Sequence, residues 1–327
     1  MAELTYRQAV AAGIAQEMER DPMVVFIGED IGAAGGVFKT TEGLLDKFGP
    51  QRVRDTPISE QAIVGAVMGA AMTGLRPIGE LMFSDFFAVA WDMVANQIAK
   101  TRYMTNGQVS LPLVLHTANG GGLGFGAQHS QSIENWVMAI PGLKVVAPSS
   151  PADMKGLMAA AIRDPDPVIV CEHKSLLPEK GEVPDGEHVE PLGRANVVRE
   201  GTDCTVVALA AMVPRALRAA EMLANDGISA EVIDLRSLVP LDVSTVLASL
   251  EKTGRLFTVE ENPRLVGWGA EIASLAADEG FWSLDAPIVR ITAPHVPLPS
   301  SPALESLAMP SVERIADTVR RSLEASR

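Results

Sequence analysis

Residues 143–171, LKVVAPSSPADMKGLMAAAIRDPDPVIVC, decide the fold. Leu143 to Val146 reads as a short apolar strand, Pro151 to Arg163 as a helix and Val168 to Cys171 as a second strand. Strands alternating with helices pair in parallel and build a doubly wound α/β sheet. The same alternation extends upstream. Thr5 and Gln8 form a capping-box pattern ahead of an amphipathic helix, and Val24 to Ile27 is a strand ending on Gly28-Glu29-Asp30. A short helix follows near Leu44, a strand from Arg52 to Asp55, and a helix from Glu60 that Ser59 can cap. Arg76 to Glu80 is a strand, Phe86 to Lys100 has helical spacing, Leu113 to Leu115 is a strand and His129 to Ile140 a helix.

Downstream the composition changes. From Pro178 to Gly193 the chain is acidic and rich in proline and glycine, a linker signal. A second series follows, with strands at Thr205–Ala208, Ala230–Ile233, Leu256–Val259 and Ile288–Ile291. Its helices lie near Pro214–Asn225, Asp242–Leu250, Gly269–Ala277 and Val312–Leu323. The expected organisation is an α/β domain over 1–180, a linker over 181–193 and a second α/β domain over 194–327.

The bulk properties narrow the function. The net charge of -14 disfavours nucleic acid and anionic membranes as partners. The N-terminus has no apolar signal core, and the most apolar helix, Ala62 to Leu75, is shorter than the ~20 residues of a membrane span. Cys171 and Cys204 read as buried hydrophobes, which suits a reducing cytoplasm.

Ligands of open parallel sheets bind beyond the carboxyl ends of the strands. Polar clusters stand at four such ends: Glu29-Asp30, Glu80 to Asp85, Asn119 to His129, and Glu172-His173-Lys174. Gly122, Gly124 and Ala127 match a loose G-x-G-x-x-A pattern, but no carboxylate stands about 20 residues on to bind a ribose. A loop that bends, or lets backbone approach a ligand, explains them better. Taken singly, Glu60 reads as a first-turn carboxylate, His129 as a cap and Phe86 as core.

Together their surroundings say more. DTPISE at 55–60, ELMFSDF at 80–86, AQHSQS at 127–132, PGLKVV at 141–146 and AIRD at 161–164 resemble the β subunits of thiamine diphosphate-dependent 2-oxo acid dehydrogenases. The likeness covers nearly the whole chain. GEVP at 181–184, RANVVREG at 194–201 and TAPH at 292–295 continue it and look most like acetoin dehydrogenase β subunits, with pyruvate and branched-chain types next.

The resemblance implies a thiamine diphosphate-binding fold, as pyrimidine-binding domain, followed by a transketolase C-terminal-like domain. It assigns Glu60 to the far pyrimidine nitrogen, where a carboxyl supports the cofactor's imino tautomer. Phe86 would pack on the pyrimidine with Ile58 close by, and Glu29, at the end of its strand, would touch the pyrimidine or a partner or serve as a structural cap. His129 would serve the developing oxyanion and proton traffic during acyl transfer to lipoamide. Leu113, Ala161, Ile162, Asp164 and Asp166 match positions that hold a structural potassium ion in some relatives, mostly through backbone oxygens.

The G-D-G…N-N motif that holds Mg²⁺ and the diphosphate does not occur. A separate α subunit is therefore expected to supply it, as two α and two β chains, together with a lipoyl-bearing acyltransferase. Departures from the family pattern leave the substrate open. His116 stands where relatives usually have arginine, residues 119–125 are unusually rich in glycine, and 31–37 lacks an insertion seen in some acetoin-type chains. Two other readings are the β half of a split transketolase-like enzyme and a non-catalytic Rossmann-like subunit. The first would need a basic phosphate cluster near the entrance, and the second would leave the contexts of Glu60 and His129 without a reason.

Overall fold

The computed structural model describes residues 1–325. The chain divides into two packed units: 1–120 with 136–192, and 121–135 with the chain from Gly193 onward.

The first unit begins with β1 (Ala2–Thr5) and α1 (Tyr6–Arg20). At their junction the Gln8 amide donates to the Thr5 hydroxyl at 3.2 Å, and the Thr5 amide donates to the Gln8 side chain at 2.9 Å. This reciprocal box satisfies two N-terminal donors that the helix itself cannot. Next come β2 (Val24–Gly28), α2 (Leu44–Phe48), β3 (Val53–Asp55), α3 (Glu60–Met72) and β4 (Arg76–Leu81). α4 (Ala99–Met104), β5 (Val114–Asn119), the short α5 (Glu134–Met138), β6 (Lys144–Val146), α6 (Pro151–Arg163), β7 (Val168–His173) and β8 (Lys180–Val183) complete the series.

Within this unit the strands lie in the order β6, β7, β5, β4, β2, β3, every pair parallel. Val24, Phe26, Ile78, Leu115 and Ile169 are fully buried, as the strands of a parallel sheet covered on both faces must be. α1 packs on α6, where Gly13 leaves room for the Lys155 backbone. Arg163 of α6 binds the buried Glu17 of α1 through two nitrogens, at 2.8 and 2.9 Å. Burial alone would raise the Glu17 carboxyl; the bonds from Arg163, Gln16 and Arg20 outweigh it and hold it below its usual range. β1 pairs antiparallel with β8, so the stretch read as a linker begins as a strand.

The second unit contains β9 (Asn196–Arg199), β10 (Cys204–Ala208), α7 (Met212–Asn225), β11 (Ala230–Asp234), β12 (Ser237–Val239) and α8 (Val243–Thr253). β13 (Leu256–Pro263), α9 (Gly269–Asp278), β14 (Val289–Ala293), α10 (Pro302–Ala308) and α11 (Val312–Ala325) follow. Its sheet runs β14, β13, β10, β11, β9, with only β9 antiparallel. Cys204 is buried in the central strand, and burial pushes its thiol up to about 12. Among the described residues no helix is long and apolar enough to cross a membrane.

Two expected helices are corrected. The spacing over Phe86 to Lys100 predicts one helix. The chain forms a tight 3₁₀ turn at Ser84–Ala88 and a wide π turn at Met93–Ile98 before α4. Phe87, Ala90, Val94 and Ile98 are buried all the same, so the apolar pattern records the core-facing side and not the pitch. The helix expected over His129 to Ile140 is confined to α5. Side chains take the groups an earlier helix would use: Asn262 Nδ2 donates to the Ser132 carbonyl at 2.8 Å, and Ser132 Oγ donates to Glu261 at 2.9 Å.

Candidate active site

Beside β2, the next strand β3 lies on one side and β4 on the other. Where strand order reverses in this way, loops leave in opposite directions and open a crevice beyond the carboxyl ends. The register places Gly28 beside Glu80, and Glu80 beside His116; Ala118 lies beside Glu172. The polar strand ends read from the sequence therefore share one edge.

Glu29 follows β2 and is 6% exposed; Glu60 is the first residue of α3 and is 8% exposed. Burial raises the Glu29 carboxyl above its usual range, and the nearby charge of Glu60 raises it further. The Ser59 backbone N–H donates to Glu29 and partly opposes this. Ser59 does occupy the N-cap position of α3, but its side chain makes no capping bond. The Thr56 hydroxyl, four residues before Glu60, is buried with no hydrogen-bond partner. Ile58 is 82% exposed. Phe86 is half-buried and meets Phe83 edge-on at 6.1 Å, and Phe83 meets Phe38 at 5.6 Å. A buried carboxyl, an orphaned hydroxyl and exposed apolar side chains fit a flat heterocycle with a polar edge.

The sequence did not reveal the group behind this edge. His116 Nδ1 lies 3.2 Å from Glu80, and Nε2 lies 2.9 Å from Glu172. All three residues are buried. Burial pulls the imidazole pKa down, but Glu172 and then Glu80 overcome it and lift the pKa to about 10. Burial keeps Glu80 above its usual range, with His116 offsetting part of that. The trio thus carries its proton on the imidazole at neutral pH, and Glu80 is a reluctant carboxylate. At 1% exposure with both nitrogens engaged, His116 is an internal group. Lys174, also buried, lies 5.6 Å from the Phe83 ring centroid.

Glu29, Glu60 and Phe86 stand in the first unit, whereas His129 belongs to the segment grouped with the second. His129 is half-buried and precedes α5 instead of starting a helix. Its amide donates to the Gly126 carbonyl at 3.4 Å.

The positions matched to potassium gather around the end of α6. Arg76 Nη1 donates to the Ile162 carbonyl at 2.9 Å and to that of Asp164 at 3.4 Å. The Ala161 carbonyl accepts from the Asp164 amide, and the Leu113 carbonyl from Val168. Lys144 Nζ holds both Asp164 carboxylate oxygens at 2.7 Å, and Asp166 pairs with Arg102. An all-oxygen set at the negative end of a helix suits a hard cation in kind, and three side-chain cations, Arg76, Lys144 and Arg102, already engage part of it. Among the described residues no cluster of three His, Cys, Asp or Glu could hold a metal.

The His116 trio makes a pH-dependent prediction. With a folded pKa near 10 and an ordinary value of 6.5, its charge stabilises the fold fully below pH 6.5, and that contribution is lost as pH rises through 10. His116→Gln should lower stability by about 3 kcal/mol at pH 7, because it leaves buried carboxylates without their cation. Denaturant midpoints compared from pH 6 to 10 should show the gap between wild type and variant narrowing at the alkaline end. A gap that stays constant, or widens, would disprove the buried imidazolium.

The model of the transketolase pyrimidine-binding domain matches residues 2–180, and that of the transketolase C-terminal domain matches 193–315. The chain is 47% identical to the acetoin:2,6-dichlorophenolindophenol oxidoreductase β subunit of Cupriavidus necator, covering 99% of each. It is 46% identical to the mitochondrial pyruvate dehydrogenase E1 component subunit beta-2 of Oryza sativa, covering 98% of this chain and 86% of the other. The 2-oxoisovalerate dehydrogenase β subunit of Bacillus subtilis is 43% identical over 99% of this chain and 100% of its own. Among solved structures, the inactive β4 tetramer of a split-gene transketolase superposes with a TM-score of 0.82 at 26% identity, covering 99% of this chain and all of that one. A carboxyl-lined edge on a pyrimidine-binding unit, and this similarity along the full length, place the chain in the family of β subunits of thiamine diphosphate-dependent acetoin and 2-oxo acid dehydrogenases.

Proposed function

We propose that this chain is the β half of an enzyme that splits acetoin or a 2-oxo acid and passes the acyl group to lipoamide. The observation that carries the reading is the buried Glu60 at the head of α3, with the Glu29 carboxyl beside it. Thiamine diphosphate, when bound, supplies the carbanion chemistry and the electron sink. Glu60 would bind the far pyrimidine nitrogen and exchange a proton there. Glu29 would stand beside it as a carboxyl that burial, and then the charge of Glu60, hold above its usual range. Phe86 and Ile58 would offer apolar surface to the ring and exclude water from the Glu60 carboxyl. His129 would hydrogen-bond the acyl oxygen and move protons during transfer to the lipoyl group. A cytoplasmic setting fits the two free buried thiols.

An α subunit would supply the diphosphate and Mg²⁺ groups that this chain lacks, in an assembly of two α and two β chains. Calorimetry should show no tight Mg²⁺-dependent binding of thiamine diphosphate to the isolated chain and clear binding once α is added. Submicromolar binding by the chain alone would remove the case for a divided site.

Glu60→Gln keeps the shape of the side chain but cannot exchange the proton. It should still assemble with α, yet lose at least about 10²-fold in turnover, the scale of losing one positioned acid or base. C2 proton exchange of the bound cofactor, followed by NMR, would fall with it. Near-normal exchange in the variant would refute the role.

Leu113, Ala161, Ile162, Asp164 and Asp166 would hold the potassium ion beside the Arg76 and Lys144 side chains. A ligand that binds only the folded state raises the melting temperature with its concentration. Melting should therefore rise in potassium chloride over sodium chloride of equal ionic strength. Identical curves would discard the ion.

A further inference from the structure

The glycine loop before His129 binds two carboxylates of its own unit. The Gly122 amide donates to Glu305 Oε1 at 2.9 Å, and the Gly124 amide donates to Glu305 Oε2 at 2.8 Å. The Gly121 amide donates to Glu261 Oε1 at 2.5 Å. Glu305 stands in the first turn of α10 and is 3% exposed; Glu261 is in β13 and is also buried.

The loop needs glycine to do this. Gly122, Gly124 and Gly126 have φ of +94°, +72° and +77°, a backbone that other residues rarely adopt. At Gly121 a Cβ would come within 2.7 Å of Leu298. Successive amides turned to one side form a nest for an anion. Here the anion is built into the chain, so these amides are not free to cradle a dinucleotide phosphate.

The far side of His129 is held as well. Ser132 Oγ donates to the same Glu261 oxygen at 2.9 Å. Asn262 Nδ2 donates to the Ser132 carbonyl at 2.8 Å and to Asn135 Oδ1 at 3.1 Å, and Asn135 Nδ2 donates to the Val266 carbonyl at 3.0 Å. Arg215 of α7 supplies the compensating charge. Burial lowers its pKa, while the carboxylates of Glu261 and Glu305 oppose that. The Arg215 guanidinium itself is tied to the Pro310 carbonyl at 2.8 Å.

We propose that Glu261 and Glu305 are positioning residues that clamp residues 121–135 on both sides of His129 and fix where its imidazole stands. The catalytic consequence rests on the role assigned to His129 above. Charge-assisted bonds from a carboxylate to backbone amides are about twice as strong as neutral ones, so two such anchors suit a segment with no regular structure. A misplacement of about 1 Å at a reacting group can cost about 10²-fold in rate.

The test uses the chain reconstituted with its α subunit and acyltransferase. Glu305→Ala should speed hydrogen–deuterium exchange in peptides covering 120–126 by about tenfold or more, the scale set by losing two charge-assisted bonds. Glu305→Gln keeps one acceptor oxygen and should fall between the two. Unchanged exchange in both variants would overturn the clamp. Kinetics then separate the clamp from the histidine. His129→Ala should lower lipoamide-dependent turnover by about 10²- to 10⁴-fold. Reduction of an artificial dye, which bypasses the lipoyl group, should suffer less. Glu305→Ala should cost about 10- to 100-fold in the same assay. The double variant should be no slower than His129→Ala alone, because Glu305 acts only through that side chain. Losses that multiply would show that Glu305 acts elsewhere and sink the proposal. If Glu305→Ala does not fold, the Gln variant carries the same cycle. If His129→Ala is fully active, the histidine's role falls, and amide exchange alone still decides the clamp.

Discussion

Burying a carboxylate is costly unless a cation or donor meets it, and the first unit gathers Glu29, Glu60, Glu80 and Glu172 at one edge of its sheet. The parallel register makes this unavoidable. It aligns the ends of β2, β4, β5 and β7, so residues remote in sequence arrive side by side. His116 resolves the rear pair by carrying a proton between them. Among the described residues the front pair, Glu29 and Glu60, forms no salt bridge. Glu29 takes the Ser59 amide and is still held above its ordinary range. The arrangement offsets the carboxyls that anchor the sheet and leaves the Glu29 carboxyl less compensated.

The second unit meets the same constraint with other means. Glu261 and Glu305 are satisfied chiefly by backbone amides of a glycine loop, with Arg215 as the nearby cation. An amide donor has a fixed direction, so it neutralises a charge and aligns the chain at once. That serves a segment such as 121–135, which α5 stiffens only at its end. Rigidity there comes from the carboxylates and not from a helical ladder.

Much of the fold was legible because β-branched runs and helical spacing reflect burial directly. α6 was bounded correctly at Pro151 and Arg163, and β2 to β7, β10, β11, β13 and β14 fall within a few residues of the expected strands, whereas β1, β8, β9 and β12 were not expected. The pitch of 84–98 was not legible, since 3₁₀ and π turns keep the same residues inward as an α-helix. The lost first part of the expected helix at His129 was hidden for another reason. The Asn262 side chain that takes the Ser132 carbonyl is 130 residues away, and local sequence carries no trace of it. Of the candidate site, Glu60 was singled out by its motif context and Glu29 by its place at the end of a strand, and the two are near enough for the charge of Glu60 to act on Glu29. Glu80 and Glu172 were visible as polar strand ends, but their link through His116 depends on register, which periodicity does not fix.

His116 also shows how a charge can persist through a change of residue. Arginine, which the family resemblance places at this point of the strand, is a cation at any physiological pH. Histidine alone would be mostly neutral at pH 7. Between Glu80 and Glu172 its pKa rises to about 10, so the position keeps its positive charge without arginine. The geometry differs even though the charge does not. Guanidinium has five donors and could bind two carboxylates with donors to spare, whereas both imidazole nitrogens are spent on them. A buried histidine with no free nitrogen has nothing left to offer a substrate. What it contributes is the charge it fixes between Glu80 and Glu172.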